Sequence, residues 1–154
     1  MVDIVSATLG EDIEAVRGLW IRYWQSLELP SDFQGFSDER DSLPGVYAPP
    51  DGRLLLARID GRPIGTAALR RLGEGTCEAK RLFVDPAYRG HGVARALLAR
   101  LVEDARGAGY REMYGDTLPS MKQALRLYNQ IGFVEVGPYS PKPTPDAIFL
   151  KLIL

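Results

Sequence analysis

Cysteine and histidine are nearly missing from this chain: Cys77 and His91 are the only residues of their kinds. One cysteine excludes an internal disulfide, and such usage points to a reducing compartment, the cytoplasm. One histidine beside one cysteine, without carboxylate–histidine spacing, makes no metal-binding set. Long apolar runs are missing too. No stretch reaches the about 18 residues of a membrane span. The segment Met1-Val2-Asp3-Ile4-Val5 has neither the basic start nor the continuous apolar run of a secretion leader. Charge of one sign is also lacking: 19 Lys and Arg stand against 20 Asp and Glu, a formal net charge of −1. That balance gives no general attraction to nucleic acid or to an anionic membrane. A local basic cluster around Lys80, Arg81, Arg89 and Arg95 is compatible with it.

What is present is the composition of a globular protein, 45% hydrophobic and 25% charged. The 154 residues are expected to form a single domain, 1–154, able to bury roughly 68–70% of its unfolded surface. No internal repeat and no interdomain linker interrupts it.

Val2 to Ala7 reads as a strand. Thr8 or Gly10 then starts a helix, with Glu11, Asp12 and Glu14 suited to its positive end. Ile13, Val16, Leu19, Trp20, Tyr23, Trp24 and Leu27 follow at helical spacing, so both tryptophans are expected in the core. Pro30 to Pro50 is broken by Pro30, Gly35, Pro44, Gly45, Pro49 and Pro50. It is either a long functional loop or one holding a short helix around Ser37 to Ser42. Leu54–Ile59 and Ile64–Leu69 read as strands joined by the hairpin dipeptide Asp60-Gly61. Thr76–Val84 is the next strand. A helix from Val93 to about Arg106 ends at Gly107 and Gly109. Glu112–Thr117 is a strand and Met121–Ile131 a helix closed by Gly132. Val134–Val136 and Ala147–Leu154 are the last strands, separated by Pro138, Pro141, Pro143 and Pro145.

The most informative stretch joins the Thr76–Val84 strand to the following helix. Asp85-Pro86-Ala87-Tyr88 leads into Arg89-Gly90-His91-Gly92-Val93-Ala94. A basic glycine turn at a helix N-terminus aims several backbone N–H groups at one point, which suits a phosphate or diphosphate. It is not a P-loop, because no Gly-Lys-Ser/Thr occurs. It is a poor dinucleotide fingerprint, because Arg95 stands where the third glycine belongs. It does match [Q/R]-x-x-G-x-[G/A], and Leu127-Tyr128-Asn129-Gln130-Ile131-Gly132-Phe133 downstream matches L-Y-x-x-x-G-F. On these motifs the chain resembles the GNAT superfamily of acetyl-CoA-dependent N-acetyltransferases, most firmly from about Arg53 to Val136.

The resemblance implies a mixed α/β fold: a central, mostly antiparallel sheet of about seven strands, flanked by helices. It also implies that the sheet is splayed between its fourth and fifth strands, Thr76–Val84 and Glu112–Thr117, where the pantetheine arm of acetyl-CoA inserts. Arg89, Gly90, His91, Gly92, Val93 and Ala94 are then expected at the diphosphate, mainly through main-chain N–H groups. Phe83 and Val84 are expected to pair with the pantetheine amides as an added strand does. Acetyl-CoA is the co-substrate, and no metal is implied. One departure stands out. Where many members carry an asparagine three positions before the residue matching Ala124, this chain has Met121, with Ser120 as a substitute donor.

Acetyl transfer requires a deprotonated amine, stabilisation of charge on the thioester oxygen, and a leaving thiolate that is protonated or tolerated. The family commonly places a base on the fourth strand, which makes Glu78 the expected general base. Its alternative role is as a salt-bridge partner of Lys80 or a nearby arginine. Strict alternation puts Glu78, Lys80, Leu82 and Val84 on one face, and Lys80 and Arg81 on opposite faces. Asp116 is the second candidate base, or else the cap of the helix beginning near Ser120. Tyr128 matches the family's general acid, the alternative being a core aromatic. A small-molecule amine is the expected acceptor. A carboxylate on it is motivated by Lys80 and Arg81, and an aromatic wall is expected from Tyr139. An acyl-CoA-binding module without catalysis and an acetyltransferase acting on a protein amine are the competing readings. Edge strands at either end leave room for a homodimer.

Overall fold

The structure, a computed structural model, describes residues 2–27, 36–139 and 145–154. The parts of the Pro30–Pro50 and Gly137–Asp146 segments at 30–35 and 140–144, and the Leu27 side chain, lie outside the described residues. In chain order the elements are β1 (Val2–Ser6), α1 (Gly10–Leu27), α2 (Phe36–Asp41), β2 (Arg53–Ile59), β3 (Arg62–Gly73) and β4 (Thr76–Val84). They continue with α3 (Val93–Gly107), β5 (Glu112–Thr117), α4 (Lys122–Ile131), β6 (Val134–Val136) and β7 (Ile148–Ile153). The seven strands form one sheet in the order β1-β2-β3-β4-β5-β7-β6. Every neighbouring pair is antiparallel except β4 and β5, which run parallel.

Local chemistry accounts for the elements. Asp60 (φ 50°) and Gly61 (φ 80°) occupy the left-handed region between the paired Ile59 and Arg62. That is the two-residue turn whose twist matches a hairpin. β2 reads as an unbroken apolar run because it is buried on both faces. Leu55 and Ala57 belong to the core beneath α3, and Leu54 and Leu56 to the core beneath α1. β3 runs longer than the apolar pattern indicated, reaching Gly73 through Arg70 and Arg71, which pair with Glu78 and Cys77 of β4. Ladder hydrogen bonds carry that polar end, so hydrophobicity does not mark it.

The first helix buries Val16, Leu19, Trp20 and Trp24, as its spacing indicated. A short helix, α2, forms within the proline-rich segment and docks by Phe36, whose ring stacks on Trp24 at 4.1 Å and 2°. On the other side of the sheet α3 buries Val93, Leu97, Leu98, Leu101, Val102 and Ala105.

One polar contact fixes α1 on the sheet. The Trp20 indole N–H donates to Thr66 Oγ1 at 3.2 Å, and both residues are fully buried. Thr66→Val preserves shape but strands a buried donor, which typically costs about 1–3 kcal/mol. Urea denaturation is expected to show that loss with an unchanged slope; an unaltered midpoint would mean that the indole finds another acceptor.

Candidate active site

β4 is irregular where it matters. Thr66 pairs with Phe83 but Ala68 pairs with Lys80, so β4 carries one residue more than β3 between those rungs. Arg81 takes the left-handed conformation (φ 59°) that absorbs it. This β-bulge overturns the strict alternation expected for the strand. Lys80 and Arg81 do not point to opposite faces. Both reach Glu39 of α2, Lys80 Nζ at 3.9 Å and Arg81 Nη2 at 2.7 Å. The Arg81 guanidinium also lies over the rings of Trp20, Trp24 and Phe36, at 5.2 to 5.9 Å. Beyond the bulge the faces are exchanged. Phe83 joins the α1 core, while Val84 belongs to the α3 core and Leu82 packs against it.

The parallel pairing of β4 with β5 lasts three rungs: Thr76 with Glu112, Cys77 with Met113, and Glu78 with Tyr114. After Glu78 the strands diverge, and a cleft of about 700 Å³ opens. Its walls include Phe83, Val84 and Ala94 on one side and Leu118, Met121 and Leu127 on the other. The Asp85 N–H donates to Ile64 O at 2.7 Å. Main-chain direction alternates along a strand, so Phe83 also turns its main chain toward β3, and Leu82 and Val84 turn theirs toward the open edge. Phe83 therefore faces the cleft with its ring alone.

At the mouth of the cleft Asp85 accepts a hydrogen bond from the Ala87 N–H at 3.0 Å and pairs with Arg22 of α1 at 3.1 Å. The chain then turns through Gly90 (φ 83°) and Gly92 (φ 77°). Only glycine adopts these angles freely, and nothing lies within 4 Å of where their Cβ atoms would stand. Gly92 is the N-cap of α3 and brings no capping side chain, so the first-turn N–H groups face outward. Arg89, Gly90, His91 and Gly92 are exposed and Ala94 is half-buried. The Val93 side chain is buried in the core, which leaves only its main chain for a ligand.

Glu78 sits on the last β4–β5 rung and is 7% exposed. Tyr139 donates to its Oε2 at 2.7 Å, and Arg70 Nε lies 3.4 Å from its Oε1. The arginine beside Glu78 is thus its cross-strand neighbour, while Lys80 pairs elsewhere. Tyr139 packs on Tyr114 and Phe149, with ring centroids at 5.0 and 5.5 Å. Burial raises its hydroxyl pKa above the ordinary tyrosine range, and the Glu78 charge adds to this. Asp116 does not cap α4, whose N-cap is Met121. Burial and, secondarily, the Glu78 charge raise the Asp116 pKa. Lys80 and Arg81 and a main-chain hydrogen bond act to lower it, but they do not prevail. Tyr128 rests on Gly115, where a Cβ would stand 3.8 Å from its ring. Burial, then the neighbouring Tyr23, Asp116 and Glu78, raises its hydroxyl pKa. Met121, in the position of the absent asparagine, accepts from Thr117 Oγ1 at 3.6 Å through its sulfur. The contacts of Arg70 and Glu39 were not foreseen from the sequence; no local pattern marks them.

A buried carboxylate at a strand divergence, an open strand edge and an uncapped helix N-terminus follow one another along β4 into α3. Residues 13–133 match the model of the acetyltransferase (GNAT) family. The chain belongs to that family. An uncharacterized N-acetyltransferase of Schizosaccharomyces pombe is 32% identical over 153 residues, covering 98% of this chain and 94% of the relative. The N-alpha-acetyltransferase RimI of Mycobacterium tuberculosis is 37% identical over 93 residues, 58% of this chain and 57% of the relative. An N-acetyltransferase (PaiA) from Thermoplasma acidophilum, solved in complex with coenzyme A, has the same fold: TM-score 0.79 at 16% identity, covering 100% of this chain and 99% of that one.

GNAT acetyltransferases use acetyl-CoA, and the residues present here fit it. The open edge of Leu82 and Val84 offers main-chain groups to amides, and the Gly90–Gly92 turn leaves room for a diphosphate over α3. Among the described residues no cluster of three or more His, Cys, Asp or Glu side chains is arranged to hold a metal ion.

The raised pKa of Asp116 makes stability depend on pH. A carboxyl whose folded pKa exceeds its unfolded one contributes stability below the unfolded value, and that contribution is lost as pH rises through the folded value. Asp116→Asn should therefore gain stability over the parent at pH 7 compared with pH 3. Thermal unfolding at both pH values tests this; a difference that does not change with pH would contradict it.

Proposed function

We propose that the protein moves the acetyl group of acetyl-CoA to a primary amine of a small molecule, by direct attack in a ternary complex. The observation that carries this reading is the buried Glu78 carboxylate on the last rung before β4 and β5 part. Acetyl-CoA supplies an acyl group activated as a thioester. Glu78 takes the proton of the acceptor ammonium, directly or through a water, because an ammonium has no lone pair to attack with. Tyr139 and Arg70 orient that carboxylate from either side. Tyr128, which rests on Gly115 of β5, returns a proton to the departing sulfur. Leu82 and Val84 hold the pantetheine arm by their main chains, Phe83 supports it with its ring, and Arg89 to Ala94 receive the diphosphate. Asp116 is the alternative base.

Crowding on the acceptor side supports a small acceptor. Glu39 of α2 is pinned to Lys80 and Arg81, and Tyr139 reaches over Glu78. Because both cations are engaged by Glu39, they give no separate support to a carboxylate on the acceptor. A protein amine is the second reading, favoured by the likeness to a relative named as an N-alpha-acetyltransferase. Assaying thiol release with amino acids, their amides, polyamines and N-terminal peptides separates the two. Reaction with peptides alone selects the second. Acetyl-CoA binding without any turnover selects a non-catalytic binding module.

Two sets of variants test the site. A β-branched residue at Gly92 (φ 77°) is strained by about 1–3 kcal/mol and crowds the diphosphate, so Gly92→Val should abolish calorimetric binding of acetyl-CoA. Undiminished binding would move the diphosphate elsewhere. General acid–base groups contribute about 10²–10⁴-fold. Glu78→Gln should lower turnover in that range and flatten the acidic limb of the pH–rate profile. Tyr128→Phe should slow transfer while leaving cofactor affinity nearly intact. Full activity in both variants would direct attention to Asp116.

A further inference from the structure

Beyond the diphosphate turn the surface changes character. The main cleft continues through Arg89, Gln123 and Leu127, which it shares with a side pocket of about 410 Å³ also lined by Gly90, Arg126 and Gln130. A shallower hollow follows along α4, between Lys122, Arg126 and Gln130. No acidic residue lines the cleft or either hollow, and α4 itself, KQALRLYNQI, contains none. The whole chain has a formal net charge of −1, so this face is a local excess of positive charge.

The cations here are also unpartnered. Arg89, Lys122 and Arg126 are exposed. Among the described residues no ion pair and no side-chain hydrogen bond involves their cationic groups. Lys122 and Arg126 stand one helical turn apart, where like charges destabilise a helix. On α3, by contrast, neighbours at such spacings form ion pairs, Arg100 with Asp104 and Arg106 with Glu103. Arg95 of α3 is held by Gln130 Oε1, which ties the floor of the side pocket together.

We propose that Arg126, assisted by Lys122, binds a phosphomonoester: the 3′-phosphate on the ribose of coenzyme A. This rests on the acetyl-CoA reading of the cleft. A ligand whose diphosphate lies on Gly90 to Ala94 has beside it the pocket that Gly90 and Arg126 both line. A guanidinium matches the geometry of phosphate oxygens, and its charge stays fixed at every working pH. A dianion there relieves the repulsion between Lys122 and Arg126. The protein would thereby select coenzyme A thioesters over the same thioesters of 3′-dephospho-coenzyme A or of pantetheine phosphate.

Calorimetric titration of the full chain with coenzyme A and with 3′-dephospho-coenzyme A tests this without a turnover assay. The unaltered protein should bind coenzyme A about tenfold more tightly, the effect of one exposed charge-assisted contact. Arg126→Ala should remove most of that preference by weakening coenzyme A alone. Lys122→Ala should remove a smaller part, and Arg126→Lys should retain some. Raising salt should shrink the preference. Equal affinity of the unaltered protein for the two ligands would overturn the assignment. So would an Arg126→Ala variant that weakens both ligands alike, which would mark Arg126 as a stacking surface for the base. Failure to bind either ligand would overturn the acyl-CoA reading itself, so the two failures are distinct.

Discussion

The short parallel pairing between β4 and β5 is the constraint on which the site depends. Three rungs hold the strands together, and beyond Glu78 the edge of β4 has no strand beside it. Unpaired backbone groups in an interior are costly, yet these open onto a cleft and can be met by solvent or ligand. Gly115 of β5 makes room for the Tyr128 ring, and β5 directs its other edge to β7 along all six of its residues. Beyond the three rungs β5 is thus paired with β7 along one edge and covered by the Tyr128 ring on one face.

The β-bulge at Arg81 ties this opening to the acceptor side. Its extra residue turns Arg81 onto the same face as Lys80, toward Glu39 and the rings of Trp20, Trp24 and Phe36. Burial disfavours the charged guanidinium, while Glu39 pulls the other way and the net shift is upward. A buried pair of this kind is strongly destabilised by removal of one partner. Anchoring α2 and ordering β4 are therefore one interaction. The same bulge exchanges the faces of Leu82, Phe83 and Val84, so that the main chains of Leu82 and Val84 meet the cleft.

Charge is unevenly partnered around the site. Near Glu78 and Asp116 acids and bases are mixed: Arg70 lies beside Glu78, and Lys80 and Arg81 act on Asp116. Cations without acidic partners gather where α3 and α4 begin. A total charge near zero conceals them. An anionic cofactor would meet the sign of charge that attracts it.

What was legible in the sequence was local. Strand Thr76–Val84, the Asp60-Gly61 turn, the glycine turn into α3 and the amphipathic helices follow from periodicity and from backbone angles that few residues adopt, and neighbours in the chain set both. The short helix within the proline-rich segment was an open alternative, because six residues are too few to show a period. The bulge at Arg81 was illegible: it depends on the register of β3 against β4, and an arginine carries no signal for a left-handed angle. Arg70 beside Glu78 needed the polar extension of β3. Tyr139 on Glu78 joins residues 61 positions apart. Sequence determined the elements and the motif-bearing turn, because those energies are local. Tertiary structure alone decided which side chains surround Glu78 and where β4 opens, because both depend on strand register and packing between distant segments.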